Sequence, residues 1–127
     1  MIMAPMSKML VTDEDVAAVA VYVSSLKPKT IEHSITGGDR EKGQELYKAC
    51  CIACHGDKAQ GKKDFKSPRL TGRNDWYMRT QINKFKKNIR GSHPEDLTGA
   101  TMRPAAMTLT NDRAIHDVIA YIKTLAE

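Results

Sequence analysis

The chain has 127 residues, 41% of them apolar and 28% charged, with a net charge of +5 and a pI near 9.2. Those values suit one soluble domain with a modest core. With no apolar run of about eighteen residues, no membrane-spanning helix is expected, and "MIMAPMSKMLVTDED" lacks the basic start and long apolar stretch of a signal peptide.

The first predicted helix covers 12–26, "TDEDVAAVAVYVSSL", opening with a capping-box-like Thr12 and Asp15 and with acids in its first turn. "KPKTIEHSITGG" (27–38) carries the Pro and Gly punctuation of a linker. Asp39 is placed to cap a helix over 40–54. A Gly-, Lys- and Pro-rich loop is expected from 56 to 72, then an amphipathic helix over 74–89 capped by Asn74 or Asp75. A second loop is expected from Arg90 to about Thr108, and a last helix over 111–126, capped by Thr110 or Asn111. No strand is convincing, so the predicted class is all-α. Aromatics make up only 6% of the chain, which leaves room for a large apolar cofactor as core material.

All three cysteines fall in "CCIACHG" (50–56). Cys51-Ile-Ala-Cys54-His55 is C-x-x-C-H, the attachment signature of a c-type haem. Two thiols three residues apart on a helical turn reach the two vinyl groups of one porphyrin edge, and the adjacent His55 is held beneath the iron as an axial ligand. A redox dithiol would need a βαβ setting that is not visible. A zinc site would need further ligands, whereas His33, His93 and His116 are scattered. A disulfide would leave His55 unexplained. Cys50 is left over, a free thiol by this reading.

On these residues the stretch 39–127 resembles the class I cytochromes c. Gly43 and Tyr47, at Gly-x-x-x-Tyr-x-x-x-Cys spacing before Cys51, look like the family's first helix, and Tyr121 in "VIAYIKTL" like the aromatic that its last helix supplies. "SPRLTG" (67–72) is similar to the family's Pro-x-Leu-x-Gly loop, which implies that the Pro68 carbonyl accepts the second ring N–H of His55. "MRPAAMTL" (102–109) resembles the Met-x-x-x-Ala-x-x-Leu of the family's ligand loop and implies Met102 as the sixth iron ligand. Met107 is a rival, and His93 would make a bis-histidine iron. "DWYMRTQINKFKKNIRG" (75–91) is similar to a run in bacterial dihaem cytochromes. The fold so implied is a class I cytochrome c: three or four helices around one covalent haem c, with an extra N-terminal helix.

The opening segment repeats the end. At a constant offset of 99, Met3 falls on Met102, Pro5 on Pro104, Leu10 on Leu109, Asp13 on Asp112, Tyr22 on Tyr121 and Leu26 on Leu125. Residues 1–27 therefore look like the Met loop and terminal helix of a preceding cytochrome c domain, followed by a linker (28–38) and the haem domain (39–127). No second C-x-x-C-H stands upstream, and the chain reads as the C-terminal part of a longer dihaem protein. The 12–26 helix is expected to pack on the haem domain or on a second molecule, which would make a dimer.

The implied function is one-electron transfer, with no catalysis, because an iron bound by His55 and Met102 has no open position. The alternative is an electron-entry domain or subunit of a larger oxidase or dehydrogenase. Between 56 and 90, eleven Lys and Arg face three Asp, a net of +8, which suits redox partners with acidic docking surfaces. No aromatic platform or groove-reading motif accompanies those charges, so nucleic acid is not expected. Haem attachment outside the cytoplasm implies the periplasm.

Overall fold

The computed structural model describes residues 3–27 and 34–125. Met1 and Ile2, the linker positions 28–33 with His33, and the final residues 126–127 lie outside the described residues. The chain forms two compact units, Met1–Thr30 and Ile31–Glu127. The described residues hold seven helices and no strand.

The N-terminal unit contains α1 (Met3–Ser7) and α2 (Asp13–Ser25). The capping box at its start is formed in both directions: Thr12 Oγ1 accepts from the Asp15 N–H at 3.1 Å, and Asp15 Oδ2 accepts from the Thr12 N–H at 3.1 Å. Two of the four unpaired donors at a helix start are thereby satisfied. Neither helix buries a side chain, and Val16, Val19, Tyr22, Val23 and Leu26 are all exposed.

The larger unit is built from α3 (Arg40–Cys50), α4 (Ile52–His55), α5 (Asp75–Lys86), α6 (Leu97–Thr108) and α7 (Asp112–Thr124). Asp39 caps α3 by accepting from the Glu41 and Lys42 N–H groups, and Asn111 caps α7 by accepting from Ala114 N–H at 2.9 Å. The core runs along α7, where Ile115, Val118, Ile119 and Ile122 recur at helical spacing and are buried. Each such side chain stabilises the fold by about 1.5–3 kcal/mol. Met78, Ile82 and Phe85 line the facing side of α5, and Tyr47 that of α3. α5 stops at a Schellman turn: Asn88 takes a φ of 57°, its N–H bonds Phe85 O, and Ile89 N–H bonds Lys84 O.

The resemblance placed a glycine where the first and last helices cross, and α3 and α7 pack as it implied. A Cβ on Gly43 would stand 1.9 Å from Asp117 O. One turn later the Tyr47 and Tyr121 rings meet with centroids 5.5 Å apart.

Three expectations are corrected. The stretch 90–108 is not a loop throughout, because α6 occupies Leu97–Thr108. Asp96 starts it by accepting from Gly99 N–H at 2.8 Å, and Ala100, Ala105 and Ala106 favour it. Pro104 deletes one donor without ending the helix. The helix expected over 40–54 is interrupted at Cys51, whose φ of −116° separates α3 from α4. A shorter helix, α1, also stands where only a loop was expected.

Residues 34–38, the described part of the expected linker, are held by the larger unit. Asp75, fully buried at the start of α5, accepts from Ser34 N–H at 3.1 Å and Ile35 N–H at 2.8 Å. A Cβ on Gly38 would meet His116 O at 2.4 Å.

Candidate functional site

Cys51, Cys54 and His55 sit on or beside α4, a helix of four residues. One turn has almost no stability of its own, so its carbonyls need partners. Each of the four has one. Ile52 O accepts from Gly56 N–H at 2.9 Å, Ala53 O from the Lys62 ammonium at 2.8 Å, and His55 O from Gly61 N–H at 2.8 Å. Cys54 O accepts from the Ser67 hydroxyl. The basic loop after the cysteines is therefore the C-terminal cap of α4.

That loop is folded back by a narrow turn, with Lys62 N–H bonded to Ser67 O at 3.2 Å and Ser67 N–H to Lys62 O at 3.1 Å. Gly61 makes the close return possible. Its φ is +79°, and a Cβ there would lie 2.6 Å from Ser67 O and 2.8 Å from Pro68 C. Further support comes from α3, where the buried Tyr47 hydroxyl donates to Gly56 O at 2.6 Å. Burial holds the Tyr47 phenol well above its usual pKa, so it stays a donor.

The consequence for His55 is a fixed ring. It is 5% exposed, and its Nδ1 lies 2.9 Å from Pro68 O. Pro68 offers only a carbonyl, so Nδ1 carries the proton and Nε2 is left with the lone pair. Burial pushes the His55 pKa below its ordinary value, against the raising effect of the Pro68 carbonyl. A neutral imidazole with a free Nε2 is what an iron ligand requires.

Cys51 and Cys54 are half-buried, one helical turn apart, and unpaired, as is Cys50 at the end of α3. Burial, with Cys50 and Cys54 as neighbours, pushes the Cys51 thiol up to about 12. A thiol so held is a poor thiolate, which opposes a dithiol-exchange role, and the described residues hold no group of three or more His, Cys, Asp or Glu that could bind a metal ion. The donor set fits a c-type haem: two unpaired thiols at thioether spacing and one neutral, oriented imidazole.

Met102 lies on α6, half-buried, and packs against the core. Of its two rivals, Met107 is 55% exposed on the same helix, and His93 is exposed in the loop before it, its Nδ1 accepting from Glu95 N–H. The sequence reading missed Gly61, Lys62 and Ser67. A glycine between polar residues just after the cysteines, followed by Lys-Lys and then Ser-Pro, was the available signal.

The family model for cytochrome c matches residues 40–126. The chain belongs to the cytochrome c family. A cytochrome c domain is an electron-transfer module of the covalent-haem type, and no helix among the described residues is long and apolar enough to cross a membrane. Over 92 residues the chain is 34% identical to cytochrome c-554(547) of Halothiobacillus neapolitanus, covering 69% of this chain and 98% of that one. Against cytochrome c4 of Azotobacter vinelandii the identity is 28% over 125 residues, covering 90% of this chain. Coverage that wide takes in more than half of the N-terminal unit as well as the cytochrome c domain. The chain spans 55% of the length of that c4. A shorter match, 34% over 58 residues, links it to the cbb3-type cytochrome c oxidase subunit FixP of Bradyrhizobium diazoefficiens, covering 46% of this chain and 19% of FixP.

Proposed function

We propose that this cytochrome c domain is a one-electron carrier holding one haem c through Cys51 and Cys54, with His55 and Met102 as its axial ligands. The observation that carries the proposal is His55: buried, neutral, and bonded through Nδ1 to Pro68 O at 2.9 Å, directly behind two thiols at thioether spacing. Covalent haem supplies a one-electron iron couple. The chain's own residues do the rest. Cys51 and Cys54 fix the porphyrin edge to α4, the 61–68 loop keeps α4 in place, and Pro68 sets the tautomer and orientation of His55. Met102 would be the second side chain to hold the iron, and its thioether would raise the potential. The visible spectrum tests this. A reduced c-type α-band that survives acid-acetone extraction, with a far-red charge-transfer band in the ferric form, is expected. A ferrous form that readily takes up carbon monoxide would contradict it.

Residues 3–26 are proposed to be the closing Met segment and last helix of a second unit of the same kind. The bounds of α2, Asp13 and Ser25, and those of α7, Asp112 and Thr124, are each 99 residues apart, with polar caps at Thr12 and Asn111 and leucines at 26 and 125. Haem counted per natural gene product tests this, two being expected.

The net +8 of residues 56–90 supports acidic docking surfaces on the redox partners, in the periplasm. Electron-transfer rates should then fall with ionic strength. The similarity to an oxidase subunit supports a second reading, in which the domain passes electrons into a larger oxidase.

A further inference from the structure

Of the four carbonyls that close α4, three take neutral donors. Ile52 O and His55 O bond backbone N–H groups, and Cys54 O takes the Ser67 hydroxyl. The fourth is different. Ala53 O, between Cys51 and Cys54, accepts from the Lys62 ammonium at 2.8 Å. Lys62 is an exposed residue, and fixing a long exposed side chain costs rotamer entropy. This ammonium is held from a second side as well. It lies over the Phe65 ring, 5.7 Å from the centroid. Phe65 is itself 56% exposed and stands outside the hydrophobic core, so its contact with Lys62 accounts for its place better than burial does.

The backbone sets up this meeting. Lys62 and Ser67 exchange N–H···O bonds at 3.2 and 3.1 Å, Lys66 N–H bonds Lys63 O at 2.9 Å, and Lys66 takes a φ of +50°. The chain thus reverses over 63–66 and carries Phe65 back to Lys62. A charge-assisted bond is stronger than a neutral one, and an aromatic face shields an ammonium partly from water. Both effects fix one positive charge on the turn that carries the two haem-attaching cysteines. We infer that Lys62, covered by Phe65, is a positioning residue for electron transfer, holding α4 by Ala53 O and raising the reduction potential of the haem. The inference rests on the covalent-haem reading above. Reduction adds one negative charge to the centre, which a fixed cation nearby stabilises. Charges loose in solvent do this poorly, because water and salt screen them. Of the adjacent pair Lys62 and Lys63, only Lys62 bonds α4.

The test uses the holoprotein. Covalent haem is established first in the wild type, by an α-band that survives acid-acetone extraction; its absence would sink the haem reading itself. With haem present, Lys62→Met keeps the stem and loses the charge. It should lower the midpoint potential at fixed pH and salt and speed exchange of the Gly61 N–H. Lys63→Met removes the same charge one residue on and should move the potential much less. Equal shifts in the two variants, or none in Lys62→Met, would overturn the inference. Lys62→Arg should retain most of the potential; a loss as large as that of Lys62→Met would overturn the role of the charge. Phe65→Leu should lower the potential in the wild type and leave it unchanged in Lys62→Met. Shifts that simply add in the double variant would overturn the part given to Phe65. Should Lys62→Met fail to load haem, NMR of the wild type decides. Lys62 Cε protons moved upfield by the Phe65 ring, beside a slowly exchanging ammonium, support the pairing. Random-coil shifts with fast exchange refute it.

Discussion

Gly43 lies so close to the backbone of Asp117 that any side chain there would collide with it, a Cβ standing 1.9 Å from the carbonyl oxygen and 2.5 Å from the carbonyl carbon. The obstacle is backbone in the middle of α7, which cannot rotate away as a side-chain tip would. Asp117 is itself fixed, because its Oδ1 accepts from Asp39 N–H at 2.7 Å and from Arg113 Nε at 3.1 Å. Gly43→Ala must therefore push α3 and α7 apart and loosen the Tyr47–Tyr121 contact. The expected loss is about 3 kcal/mol or more, read as a lowered thermal midpoint of the holoprotein. A variant as stable as the wild type would show that the helices slide apart at little cost.

Gly61 controls the iron side of the site at one remove. Its φ of +79° and its contact with the backbone of Ser67 and Pro68 bring the Pro68 carbonyl to His55. In Gly61→Ala the left-handed backbone costs about 1 kcal/mol, and the 67–69 segment is displaced. His55 then loses part of its acceptor. That bond makes the ring a more basic ligand, which favours ferric iron, so weakening it should raise the potential. Potentiometry of variant and wild type at one pH checks the sign, and an unchanged potential would separate Gly61 from His55.

How much of this was legible in the sequence depends on the distance over which residues act. Thr12, Asp39 and Asn111 bond groups two or three residues away, and each could be read as a cap. Gly43 and Tyr121 were placed by resemblance, since nothing local marks a helix crossing. The loop expected over 90–108 gave way to α6, because the donor lost at Pro104 does not outweigh a good start at Asp96 and a run of strong helix formers. The hold of Asp75 on Ser34 and Ile35, some forty residues earlier, left no local trace. Asp75 read as a helix cap, and only its burial exposes the second role.

Which side chain fills the second axial position is decided by substitution. Met102→Ala should abolish the far-red ferric band, lower the potential and let the ferrous protein bind carbon monoxide. Met107→Ala and His93→Ala should leave all three properties in place, since both side chains stand exposed. Loss of the band in Met107→Ala alone would transfer the role to that residue, five positions along α6.

Asp75 gives the protein an acid-sensitive anchor whose sign can be worked out. Burial acts to raise its pKa, but bonds from the backbone N–H groups of Ile35, Ser34 and Trp76, with the Ser34 hydroxyl, outweigh it and hold the folded value below the ordinary one. Lys123 adds an ammonium 3.7 Å from Oδ2. An unfolded aspartate titrates at about 3.9. Above that value the carboxylate is charged in both states and its bonds contribute in full. As pH falls through about 4 and on through the folded pKa, the unfolded chain binds the proton first and the contribution is lost. Asp75→Asn replaces one acceptor oxygen by a donor facing the N–H groups of Ser34, Ile35 or Trp76. It should cost about 2–3 kcal/mol near neutral pH. With no charge left to lose, the variant should also show a shallower decline in stability below about pH 4. Denaturant unfolding of both holoproteins from about pH 7 to about pH 3 measures this. The gap between the two curves must narrow at the acid end; a gap that stays constant would mean that folding leaves the Asp75 pKa unshifted.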